Sequence, residues 1–112
     1  MTKRDYLGSF EQMVLLALIR LGSNAYGVTI RQEIETRTER TTAIGAVYAT
    51  LERLEQKGYV KSFKGPPTPE RGGRAKRFYR IQAPGQRVLS EALAATSAMV
   101  TGVEDSLVPA KA

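Results

Sequence analysis

Apolar positions recur at helical spacing through the first half of the chain and at strand spacing just beyond it. Phe10, Met13, Val14, Ala17, Leu18 and Leu21 fall three and four residues apart. Leu15, Leu16 and Ile19 widen that stripe, so the first helix is expected to be buried on most sides. Ser9 followed by Gln12 has the spacing of a capping box at its start, and Gly22 marks its end. Tyr26, Ile30 and Ile34 define one face of a second helix over Ala25–Arg37, with Arg31, Gln32, Glu33, Glu35 and Arg37 around the rest. After the polar stretch TERTTA, the residues Ile44, Val47, Tyr48, Leu51 and Leu54 mark a third amphipathic helix that ends near Gly58.

Downstream the period changes to two. YVKSF sets Tyr59, Lys61 and Phe63 on one side against Val60 and Ser62 on the other, and KRFYRI is rich in residue types favoured in strands. Between them, GPPTPERGGR packs three of the five prolines beside Gly65, Gly72 and Gly73, a composition read as unable to continue a strand and as making a hairpin loop. Pro84 and Gly85 then open a last helix with Val88, Leu89, Ala92, Leu93, Thr96, Met99, Val100 and Val103 on its apolar side. Three short helices followed by a hairpin predict a mainly α fold with a small β-hairpin, a winged helix-turn-helix over residues 1–82. Residues 83–108 read as a C-terminal dimerisation helix, and residues 109–112 as a frayed tail.

Composition narrows the function. The 112 residues hold no cysteine and no histidine, which removes disulfides, thiolate chemistry and the commonest metal ligand, so neither metal nor cofactor is expected. Glu52 and Glu55 stand near each other on the third helix with Lys57, but no nucleophile accompanies them, and an enzyme is not expected. Met1 to Tyr6 is charged, and no apolar run approaches the roughly 20 residues that span a bilayer, so the chain is expected to be cytoplasmic with no membrane partner.

Charge adds a location. The net charge is +6, and the stretch Lys61 to Arg80 carries seven basic residues against Glu70 alone, so the rest of the chain is neutral. A focused positive patch of this kind is what binding to a polyanion requires. If Ile44, Val47, Tyr48, Leu51 and Leu54 point inward, the outward side of the third helix holds Gly45, Ala46, Ala49, Thr50, Arg53 and Lys57, small first and basic later. Small residues permit close approach, and the B-DNA major groove, about 12 Å wide, admits a helix. Gly45, Ala46, Ala49 and Thr50 are therefore expected to touch bases and Arg53 a phosphate, while Glu52 and Glu55 must turn aside from the DNA backbone. Tyr48 is expected to pack its ring, with its hydroxyl offered to a phosphate or the ring packed alone, whereas Tyr26, at the start of the second helix where an anion is favoured, reads as core rather than as a phosphate contact. Arg74, Lys76 and Arg77 sit where the hairpin turns back and suit phosphates or a minor groove, with Arg80 nearer the core.

The order VLLALIRLG, AYGVTIRQEI, GAVYATLERLEQKGYV, ERGGRAKRFYRI and APGQRVL resembles the PadR family of bacterial transcriptional regulators over roughly Leu7 to Leu93. Its most distinctive part is Gly45, Tyr48, Leu51, Leu54 and Gly58, with Tyr26 and Gly27 upstream and Gly72, Gly73, Arg74 and Tyr79 in the wing. The resemblance implies a homodimeric winged-helix repressor in the short form with a single C-terminal helix. In that family a serine often precedes the position of Ile44; here Ala43 stands there, so Thr42 or Thr41 is expected to cap the third helix.

A two-fold dimer would place two such helices about 34 Å apart, in successive major grooves of a near-palindromic double-stranded operator. Leu89, Leu93, Met99, Val100 and Val103 are expected to form the dimer seam. The resemblance also raises a small-molecule effector of unknown identity, but the last helix has no aromatic residue, and Phe10, Met13 and Met99 read as core rather than as a ligand pocket. The competing reading is a winged helix that binds RNA or docks on a protein, since charge and shape alone do not separate duplex types.

Overall fold

The computed structural model describes residues 6–67 and 75–110. Its helices are α1 (Ser9–Leu21), α2 (Gly27–Thr38), α3 (Ile44–Gln56) and α4 (Ala83–Val100), and its strands are β1 (Val60–Pro67) and β2 (Ala75–Ile81). Short 3₁₀ turns over Gly22–Asn24 and Glu104–Leu107 follow α1 and α4. The strands pair antiparallel, Val60 opposite Ile81 and Phe63 opposite Phe78, and Tyr26 makes a single bridge to Phe78 on the free side of β2. This is a winged helix-turn-helix with an appended helix. No described helix is long and apolar enough to cross a membrane.

One core ties the first three helices to the hairpin. Leu15, Ile30, Leu51, Leu54, Val14 and Val47 are fully buried, and Val60, Tyr79 and Leu89 close over them. These are the positions where the helical and strand periods coincide with an apolar residue, and their removal from water is the main stabilising term. Leu16 and Ile19 are exposed, so α1 is open on one side rather than buried on most sides.

Several boundaries differ from those read in the sequence. Gly8, not Ser9, stands at the head of α1, and its N–H donates to Glu11 Oε1 at 2.8 Å. Ala25 and Tyr26 are extended, because the Tyr79 N–H donates to the Ala25 carbonyl at 2.9 Å and draws this segment into the sheet, so α2 starts only at Gly27. Gly58 does end the α3 segment, at φ +81°, a backbone conformation that glycine adopts without a steric penalty. β1 continues through Gly65 to Pro67 with a register shift after Lys64, so part of the proline-rich stretch is strand. Proline is tolerated there because β1 is an edge strand, which needs no outward N–H partner. The remainder of that stretch, with Gly72, Gly73 and Arg74, lies outside the described residues.

The last helix is shorter than its apolar stripe implied. α4 ends at Val100, and Gly102 takes φ +95° with its N–H donating to Glu104 Oε1, so Val103 lies beyond the helix. Leu89 is only 3% exposed and serves the core of its own chain, which removes it from the expected dimer seam. Its position one turn after Gly85 explains this, since Gly85 lets the start of α4 lie directly on the backbone of Tyr59. On the far side of the molecule Glu33 joins α1 to α2 by accepting from Arg37 at 2.8 Å and Arg20 at 2.9 Å. Those two guanidiniums, Arg37 foremost, hold its carboxyl below the usual carboxylate range.

Candidate nucleic-acid interface

The orientation of α3 decides what it can present. Val47, Thr50, Leu51 and Leu54 are its buried residues, and with about 3.6 residues per turn the opposite side is the stripe Gly45, Ala49, Glu52 and Gln56. Those four are exposed, as is Ala46 on the flank. Thr50 is 3% exposed, and its hydroxyl accepts from Arg53 Nη2 at 3.3 Å, so it cannot touch a base as expected. It follows Val47 by three residues and precedes Leu54 by four, which places it on the inward face whatever its polarity.

The start of α3 is also different. Ala43 occupies the cap position in extended backbone and no side chain caps the helix. Thr42 is buried, with its backbone N–H donating to Glu35 Oε2 at 2.7 Å, so Thr42 is neither the cap nor a surface contact. The free N–H groups at this end therefore stay available to an anion.

Arg53 is 53% exposed, but it lies on the flank that faces α1. Its Nε is 3.6 Å from Glu11 Oε2, and Lys57 Nζ is 3.5 Å from the same oxygen. Glu11 thus fixes the basic flank of α3 against α1. Glu55 turns away from the outward side as expected, accepting from the Ser62 hydroxyl at 2.5 Å and the Ser62 N–H at 3.2 Å. Arg77 Nη1 donates to the same hydroxyl at 2.9 Å, which joins α3 to both strands of the wing. Glu52 does not turn aside.

Tyr48 stands on the opposite flank and is 46% exposed, more open than a packed ring would be. Its ring and hydroxyl lie against Gly27, where any Cβ would collide with them, so the approach of α3 to the start of α2 depends on a glycine there. The hydroxyl is thereby held beside the N-terminus of α2, where a phosphate is favoured. Tyr26 is half-buried, its ring edge-on to Phe78 at 5.3 Å, and Lys76 Nζ lies 4.5 Å over it while donating to its hydroxyl at 3.3 Å. Burial pushes the Tyr79 phenol above its ordinary value, in the space between β2 and α3.

Lys64 and Arg77 are cross-strand partners and are exposed, as is Lys76. Arg74 lies outside the described residues. Arg80 is not near the core: it is exposed, with its guanidinium 5.3 Å over the Phe63 ring. Phe10 and Met13 are half-buried and line an open hollow of about 230 Å³ with Ile34, Thr42 and Ala46, whereas Met99 is far out on α4 and 79% exposed, so it is not core. The sequence reading missed Gln56 and the anchoring role of Glu11, although counting from Gly45 by four, three and four reaches Ala49, Glu52 and Gln56 directly.

A helix-turn-helix whose second helix shows one open face, small at its start, beside a cationic β-arm defines a DNA-binding regulator of transcription. The sequence matches the model of the transcriptional regulator PadR-like family over residues 15–91, and the chain belongs to that family. Its members are transcriptional regulators, not enzymes. Among solved structures, a PadR family regulator from Eggerthella lenta is similar at 25% identity, covering 88% of this chain and 84% of the other, with a TM-score of 0.66. A transcriptional regulator from Clostridium thermocellum shares 24% identity over 85% of this chain and 89% of its own, at a TM-score of 0.69. A PadR-like regulator from Bacillus cereus shares 17% identity over 90% and 93%, also at 0.69. No curated protein matches the sequence.

Proposed function

We propose that the chain is a homodimeric repressor that acts in the cytoplasm by occupying a near-palindromic operator and excluding polymerase. The observation that carries the dimer is the bare far half of α4. From Leu93 to Val108 every residue but Val100 is exposed, and the apolar ones include Leu93, Met99, Val103, Leu107 and Val108. The radius of gyration is 16.7 Å, where a compact chain of this length would have about 13 Å. A stripe of this length left in water is typical of a surface awaiting a partner, and a second copy supplies an identical stripe that can cover it by two-fold symmetry. Leu93, Met99, Val100 and Val103 form the seam in this reading, without Leu89.

Each subunit then presents the stripe Gly45, Ala49, Glu52 and Gln56 to a major groove, with Ala46 at its edge. Tyr48, the N-terminus of α2, Lys76 and Arg77 meet phosphates on one side, and Arg53 and Lys57 flank the other. Arg74 belongs to the same basic run of the sequence. Phosphate contacts of this kind fix register, and the open stripe supplies the sequence reading.

Competition tests the proposal. At physiological salt a palindromic fragment from the promoter upstream of the protein's own gene should displace labelled operator at least about a hundredfold more effectively than random DNA or structured RNA. Equal displacement by all three would favour the RNA-binding or protein-docking reading instead.

A further inference from the structure

Four carboxylates belong to the surroundings of α3, and three of them are spoken for. Glu11 is paired with Arg53 and Lys57, Glu35 accepts from the Thr42 N–H, and Glu55 is held by Ser62. Glu52 makes no hydrogen bond or ion pair with any described residue, its charge reaching only the Tyr79 phenol at a distance, and it stands exposed on the outward stripe, between Ala49 and Gln56. An unpartnered negative charge on the face turned to DNA is unfavourable against phosphates and useful only against a hydrogen-bond donor. In the major groove the donors are the exocyclic amines of cytosine and adenine, while guanine O6 and N7 and thymine O4 are acceptors that repel a carboxylate.

Resting on the DNA-binding reading above, we infer that Glu52 is a specificity-determining residue that accepts a hydrogen bond from the N4 amine of a cytosine in each half-site. Cytosine is preferred to adenine because the adenine amine adjoins N7, whose lone pair faces the second carboxylate oxygen, whereas the cytosine amine adjoins a C–H. Gly45 and Ala49, two turns and one turn earlier on the same stripe, bring no bulk that would hold the helix away, and no atom lies within 4 Å of a Cβ built on Gly45. The bases facing them are read by shape and methyl contact, and Glu52 supplies the one charged discrimination.

The test is selection of bound duplexes from a library with randomised half-sites, run with the wild type, Glu52→Gln and Glu52→Ala. The wild type selects cytosine at one position per half-site, and replacing it by thymine or guanine weakens binding about tenfold or more. Glu52→Gln moves the preference at that position to adenine, whose N6 and N7 match an amide, and leaves the rest of the motif unchanged. Glu52→Ala loses the preference there and binds random DNA more tightly than the wild type, because a negative charge has gone. Identical motifs from the wild type and Glu52→Ala overturn the inference while leaving the operator reading intact. No motif from the wild type overturns the operator reading itself, and the inference with it.

Discussion

A chain carrying Leu93→Glu and Met99→Glu will sediment as a monomer at micromolar concentration and bind its operator about 10²- to 10⁴-fold more weakly than the wild type. Met99 is 79% and Leu93 40% exposed within one subunit, so the substitutions cost that subunit little internal packing. In the seam of a two-fold dimer each carboxylate would be buried against the partner's apolar stripe, and an unpaired charge taken out of water is strongly unfavourable. Loss of the partner also loses the second half-site. Two reading helices on one body share a high effective concentration, and separated subunits forfeit that advantage without any change in either α3. Retained helicity by circular dichroism would show that the monomer still folds. A variant that remains dimeric and binds normally would place the dimer contact elsewhere.

The second large effect concerns Gly85. A methyl group there would strike the carbonyl oxygen of Tyr59 and crowd Ile81 Cγ1, and the same carbonyl accepts from the Gln82 N–H at 2.8 Å. The obstacle is backbone, which cannot swing aside as the end of a side chain can. Alanine is worth about 1 kcal/mol over glycine in a helix, but overpacking of this kind costs about 1–3 kcal/mol, and Leu89 would leave the core along with the shifted helix. Gly85→Ala should therefore lower Tm, by about 5–10 °C for a net loss of 1–2 kcal/mol. Gly45→Ala is the matched control, because nothing surrounds that position and Tm should hold or rise. Equal melting temperatures for Gly85→Ala and the wild type would show that α4 does not pack against Tyr59 as described.

The helices and the hairpin were legible because their apolar periods are long and consistent, and the basic run of the wing announced itself by charge. What the sequence hid were matters of angle and of distant partners. Thr50 falls outward when only the five apolar residues of α3 are set inward, yet its spacing from Val47 and Leu54 turns it inward. Of the two carboxylates that the sequence turns aside, only Glu55 has Ser62 within reach, and Ser62 comes from a strand. Glu11 reads locally as a residue of the first helical turn. Its ion partners, Arg53 and Lys57, come from α3 and meet it only once α1 and α3 are packed. With Ala43 in the serine's place the cap falls by expectation to Thr42 or Thr41, whereas Glu35, a residue of α2, engages the Thr42 backbone. Leu89 and Met99 share one stripe, and only the packing of Gly85 on Tyr59 separates the one that serves the core from the one left bare.

The central claim is that two copies present the Gly45, Ala49, Glu52 and Gln56 stripe to neighbouring major grooves on one side of the duplex. Hydroxyl-radical footprinting of the wild-type protein on its selected operator measures this directly. Two symmetric protected regions centred about 10 base pairs apart, one helical turn, are predicted. A single protected region, or two centred half a turn out of phase and so on opposite faces of the duplex, would contradict the claim.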